Sequence, residues 1–174
     1  GGTTTAAIAV GGNPPASGTG VTETWNGSAW TEVTDLNTSR TQLSQGMGTF
    51  DNFITAGGYN GSAYVANTEL WNGSSWTEVN DMTLANNSMQ KSGIGTSTSA
   101  LSAGGNSPAT STQSWNGTNW SNENNMSTAR KRLPGSGTST LGLAFGGDAS
   151  PISAATEEWN GTGLVTTTVT TTSD

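Results

Sequence analysis

Trp71-Asn72-Gly73-Ser74-Ser75-Trp76 decides the fold, because the same wording, Trp-Asn-Gly-x-x-Trp, stands at Trp25 to Trp30 and Trp115 to Trp120 and decays at Trp159 to Leu164. The leading tryptophans are 46, 44 and 44 residues apart. A self-similar period of that size marks a repeat architecture, in which a unit buries its apolar face only by stacking on its neighbours.

Outward from the motif, each unit divides into the same parts. Asn-Gly between two apolar shoulders specifies a hairpin turn with positive φ. In the second unit it joins the strands Asn67 to Trp71 and Trp76 to Val79. Ahead of them, Leu43 to Phe50 reads as a Gly-containing strand and Asp51-Asn52 as a tight turn. Phe53 to Ala56 reads as an apolar strand that stops at Gly57-Gly58, before a polar loop from Tyr59 to Ala63. The other units repeat the apolar strand and Gly-Gly pair at Ala6 to Gly12, Ser99 to Gly105 and Leu141 to Gly147. The expected units are about 1–36, 37–82, 83–126 and 127–174. The first has only Gly1 to Thr5 for its opening strand, and the last ends in a Thr/Val tail expected to extend as a strand near it, closing a ring. No window keeps a 3.6-residue period, so the fold class is all-β: four short antiparallel strands per unit, arranged as blades of a β-propeller.

The composition narrows the chemistry. Only 30% of the 174 residues are hydrophobic and 10% charged, a balance that suggests disorder, but seven tryptophans at regular places supply a core. There is no Cys and no His, which removes disulfides, thiol chemistry and the commonest metal ligands; neither a metal nor a cofactor is expected. A net charge of −7 argues against nucleic acid. No apolar run reaches the roughly 20 residues of a membrane helix, so no membrane insertion is expected. A start at Gly1-Gly2 without Met is expected of a processed, truncated or partly described product.

An apolar strand ending in Gly-Gly, then an aromatic, then a Trp about six residues on resembles the kelch repeat. Gly57-Gly58, Trp71 and Trp76 fit that order, as do Gly11-Gly12, Trp25, Trp30 and Gly104-Gly105, Trp115, Trp120. The resemblance covers essentially the whole chain and implies a propeller. The first aromatic departs from the family's usual Tyr, and four blades are fewer than most kelch propellers have. The wording is most similar to kelch-type repeats of bacteriophage tail and appendage proteins.

Under that resemblance the residues just before each first strand line a partner-binding face. They are Arg40 and Gln42, Asn86 and Ser88, Arg130 and Arg132, expected around one mouth of a central channel. A kelch-like structural Arg is the competing reading for Arg40 and Arg130. Trp25, Trp30, Trp71, Trp76, Trp115, Trp120 and Trp159 are expected to be packing anchors rather than sugar-stacking platforms. The Gly-Gly pairs lack the rest of any phosphate-binding motif and are expected to permit a bend and close approach. Asn-x-Ser/Thr sequons occur at Asn26, Asn60, Asn72, Asn116 and Asn160, and hairpin chemistry explains all but Asn60. The recurring Glu23, Glu69 and Glu157, with Glu32 and Glu78, could form a carboxylate pair of glycosidase type, but a solvated, solubilising edge is the simpler expectation.

The expected function is therefore non-enzymatic, with no catalytic residues: a surface-binding module of a virion or cell exterior, such as a tail-fibre propeller that contacts a cell-surface glycan or other phage structural proteins. The non-repeating loops Asn13 to Gly20 and Asn106 to Ser111 are the expected recognition sites. The alternatives are an architectural repeat that self-assembles into filaments or collars, including a homo-oligomer, and a carbohydrate-active enzyme.

Overall fold

The computed structural model describes residues 1–12, 19–43, 46–85, 92–105, 110–149, 152–161 and 164–167. Among them there is no helix, and fifteen strands form four separate antiparallel sheets. The first sheet is β1 (Ala7–Val10), β2 (Thr22–Trp25) and β3 (Trp30–Glu32). The second is β4 (Met47–Gly48), β5 (Phe53–Tyr59), β6 (Tyr64–Trp71) and β7 (Trp76–Val79). The third is β8 (Ser92–Thr96), β9 (Ser99–Ala103), β10 (Thr112–Trp115) and β11 (Trp120–Asn122). The fourth is β12 (Gly135–Gly137), β13 (Gly142–Phe145), β14 (Thr156–Trp159) and β15 (Leu164–Thr167). Every sheet is a meander, so each strand pairs with the next one in the chain.

The hairpin is built as its residues require. Trp71 pairs with Trp76 across it, as Trp25 pairs with Trp30 and Trp115 with Trp120. The positive φ falls on Gly alone, 94° at Gly27, Gly73 and Gly117, where a side chain would be strained. Asn contributes through its side chain instead: Asn72 Oδ1 accepts from Ser74 N at 3.0 Å and Ser75 N at 2.9 Å. The paired indoles lie 5.3–5.6 Å apart with tilted rings.

Strand alternation then sorts side chains to two faces. In the second sheet Phe53, Trp71 and Trp76 pack back on Ile8 and Leu36, while Ile54, Ala56 and Met47 pack forward on Trp115 and Trp120. Ile94 and Leu101 of the third sheet close on Trp159, and Ala103 on Ala144 with Met126 and Leu133. The core is therefore three seams between four sheets rather than one central mass.

The indole N–H groups of the motif fall into two sets, and among the described residues Trp30 belongs to neither. The first indole of each pair donates to the backbone of its own sheet's first turn: Trp71 Nε1 to Phe50 O at 3.0 Å, Trp115 to Ser97 O at 2.9 Å and Trp159 to Ser139 O at 2.8 Å. The second crosses the seam. Trp76 Nε1 donates to Thr22 Oγ1 of the sheet before, and Trp120 Nε1 to Thr68 Oγ1, both at 3.0 Å.

Three expectations need correction. The second strand of the second unit does not stop at Gly57-Gly58: β5 continues to Tyr59 through a bulge between Ala56 and Gly58, and pairs with a longer β6. The first sheet has three named strands, and Gly1 and Gly2 supply only a stub, with Ile8 N donating to Gly1 O at 2.8 Å and a bridge from Gly2 to Ala7. Not every motif Trp is an anchor: Trp71, Trp76, Trp115, Trp120 and Trp159 are buried, but Trp25 is half-buried and Trp30 is 48% exposed. Trp30 lies on the face of the first sheet that no other described sheet covers. Residues 168–174 of the Thr/Val tail, and the loop positions 13–18 and 106–109, lie outside the described residues.

Candidate functional site

Arg40 and Arg130, expected at a channel mouth, are instead sealed inside the protein. Arg40 Nη2 lies 2.8 Å from Glu69 Oε1, and Nη1 donates to Asn67 O at 2.5 Å and Gly57 O at 3.3 Å. Glu69 Oε2 in turn accepts from Asn37 N at 2.8 Å and Asn37 Nδ2 at 2.9 Å. The fourth sheet repeats the arrangement: Arg130 Nη2 to Glu157 Oε1 at 2.8 Å, Nη1 to Ala155 O at 2.6 Å and Gly146 O at 2.9 Å, with Ser127 N on Glu157 Oε2 at 2.7 Å. Both ion pairs are 0% exposed. They tie the connection between two sheets down onto the second of them. Burial pushes the Arg40 pKa down against the pull of Glu69, Glu78 and Asp81, and an arginine stays charged nonetheless.

This corrects the carboxylate expectation too. Glu23, Glu32 and Glu78 are exposed, as a solvated edge requires, but Glu69 and Glu157 are buried. Glu23 sits opposite Glu32 and Glu69 opposite Glu78 across their hairpins. Glu69 is nevertheless buried and held by the Arg40 guanidinium and the backbone N–H groups of Asn37 and Thr38, away from any substrate. In the third sheet Gln113 takes the place of Glu, with Oε1 accepting from Thr83 N at 2.9 Å and Thr83 Oγ1 at 2.8 Å. Asn86 and Ser88 lie outside the described residues.

The Gly-Gly pairs act as close-approach points. A Cβ on Gly104, where φ is 79°, would stand 2.5 Å from Leu133 Cδ2 and 2.8 Å from Arg130 O. The carbonyls of Gly57 and Gly146 are themselves acceptors of the buried arginines.

What remains at the surface is one corner of the fourth sheet. Two residues after each buried Arg the backbone turns left-handed at a non-glycine, Gln42 with φ 53° and Arg132 with φ 54°. A glycine would adopt that conformation without strain. Gln42 is half-buried, whereas the Arg132 side chain is 50% exposed. Arg132 Nη1 and Lys131 Nζ each stand 3.8 Å from Asp148 Oδ2, while Lys131 and Asp148 exchange backbone hydrogen bonds of 3.1 and 2.8 Å. Arg132, Gly147, Asp148 and Ile152 line a cleft of about 310 Å³. Charged side chains and the exposed Ile152 share its rim.

Compared with protein-family models and with curated proteins, the chain matches none. No group of three or more His, Cys, Asp or Glu side chains is placed to hold a metal among the described residues. Of the six residues expected on one face, then, Arg40 and Arg130 are structural and Arg132 remains open to solvent. The buried pairs leave a trace in the sequence. Arg40 precedes Glu69 by 29 residues and Arg130 precedes Glu157 by 27, while the unit with Asn86 in the Arg position has Gln113 in the Glu position.

Proposed function

We propose that the four sheets are blades of a kelch-type β-propeller and that the chain is a non-enzymatic surface-binding module of a virion appendage or cell exterior. The blade reading is supported by β8, which lies against both β4 and β12: the first strands of successive sheets draw together at one edge, as strands around a common axis do. The binding reading rests on a division of labour. The repeated residues are consumed by seams and buried ion pairs, and among the described residues the remaining cations, Lys131 and Arg132, stand beside Asp148, with Arg132 and Asp148 bordering the cleft.

A guanidinium at the rim of a shallow cleft, with an ammonium beside it on the same Asp148 carboxylate, suits ligands rich in hydroxyl and carboxylate groups, so the ligand proposed is a cell-surface glycan that carries carboxylates. Contacts of this size are weak singly and gain strength when several copies are displayed together. The test is a glycan array probed with the protein multimerised on a carrier. Binding to acidic glycans that is lost in both Arg132→Ala and Lys131→Ala, with unfolding midpoints unchanged, is expected; no binding, or binding indifferent to both substitutions, refutes the reading.

A further inference from the structure

The two ends of the stack carry the two halves of the seam that is closed three times inside it. On the forward face, Ile8, Ile54 and Leu101 stand at equivalent places and are buried by the next sheet, but their fourth counterpart, Leu143, is 42% exposed. Phe145, the counterpart of the buried Ala56 and Ala103, is 38% exposed. A cleft of about 450 Å³ opens on this face, bordered by Leu141, Leu143 and Glu158. On the backward face, Trp30 is the counterpart of Trp76 and Trp120, and it is exposed.

The hydrogen bonds show the same vacancy. Thr22 and Thr68 each accept an indole N–H from the sheet that follows. The hydroxyl of Thr112 is buried without a partner, in keeping with Leu164 standing where a second Trp would supply the N–H. Thr156 is the last of the series and is only half-buried. Among the described residues no indole reaches it, and the Trp30 indole has no acceptor. One free donor on the first sheet and one free acceptor on the fourth match the geometry used twice within the chain.

We propose that the forward face of the fourth sheet binds the backward face of the first sheet of a second copy, with Trp30 of one copy donating to Thr156 of the other and packing on Leu143 and Phe145. The occupant follows from continuity with the internal seams, whose two faces are these same two surfaces. The contact is heterologous: it joins head to tail and leaves a free face at each end, so it yields rings where the rotation closes and filaments where it does not. The inference stands apart from the ligand reading, since neither Lys131 nor Arg132 takes part.

The test is native mass across a hundredfold range of concentration for the 174-residue chain, alone and as two variants. Wild type is expected to grow beyond one copy as concentration rises, whereas Trp30→Ala and Leu143→Arg each stay single. An equimolar mixture of the two variants is expected to form a dimer and stop there, because each keeps the face that the other has lost. That dimer also shows that both variants are folded. The proposal is overturned if wild type is a single copy throughout, whether Trp30 fluorescence then reports an open indole or one sealed by its own chain. It is equally overturned if association survives both substitutions or if the mixture fails to pair.

Discussion

The buried pair Arg40–Glu69 can be dissected against a control that the chain itself carries. Replacing Arg40 with Asn removes two hydrogen bonds to backbone carbonyls, at 2.5 and 3.3 Å, and the 2.8 Å contact to Glu69. It leaves a carboxylate with 0% exposure facing its remaining donors Asn37 and Thr38. Breaking a buried pair from one side costs about 3–5 kcal/mol, because the surviving charge stays desolvated. The third unit has Asn86 and Gln113 at these positions in the sequence, so Glu69→Gln on top of Arg40→Asn gives the second unit the third's residues at both places. The double variant is expected to recover most of the loss and settle about 1–2 kcal/mol below wild type, the residue being the unmade hydrogen bonds. Urea unfolding of wild type, both single variants and the double variant measures this, provided the slope stays constant. Additive effects, with a coupling below about 0.5 kcal/mol, would refute the claim that the two groups are stabilised by each other.

Other perturbations probe the seams and turns. Trp120→Phe keeps an aromatic ring but removes the N–H on Thr68, and should cost about 1–2 kcal/mol; Trp30→Phe in dilute solution should cost less than about 0.5 kcal/mol. Gly104→Ala should destabilise by more than about 2 kcal/mol, since both its φ of 79° and the 2.5 Å approach to Leu133 oppose a methyl group.

Much of the fold is legible in the hairpin motif, because Asn-Gly between paired tryptophans fixes a turn and a register that the backbone then obeys. The roles of individual residues are less legible. Periodicity shows that Trp30 equals Trp76 in kind, but it cannot show that Trp30 lacks a preceding sheet. Arg40 and Arg130 read as binding residues from their place just before a first strand, with a structural arginine as the competing reading; their burial depends on a carboxylate 29 or 27 residues away, brought close only when the connection folds back over the next sheet. Glu69 and Glu78 likewise look alike as opposite members of one hairpin, yet one is capped by that connection and the other faces solvent. Long-range partnership, rather than local propensity, separates these pairs. The bulge after Ala56 escaped notice because Gly-Gly serves equally to end a strand or to bend one.

The central claim is that the second tryptophan of the motif is the joint between one sheet and the next. Hydrogen exchange of the seven indole N–H groups, followed by NMR on the Leu143→Arg variant so that the end faces stay open, tests it most directly. Slow exchange is expected at Trp76 and Trp120, which donate across the seams to Thr22 and Thr68, and fast exchange at Trp30, which is exposed and has no acceptor among the described residues. Exchange at Trp76 and Trp120 as fast as at Trp30 would contradict it.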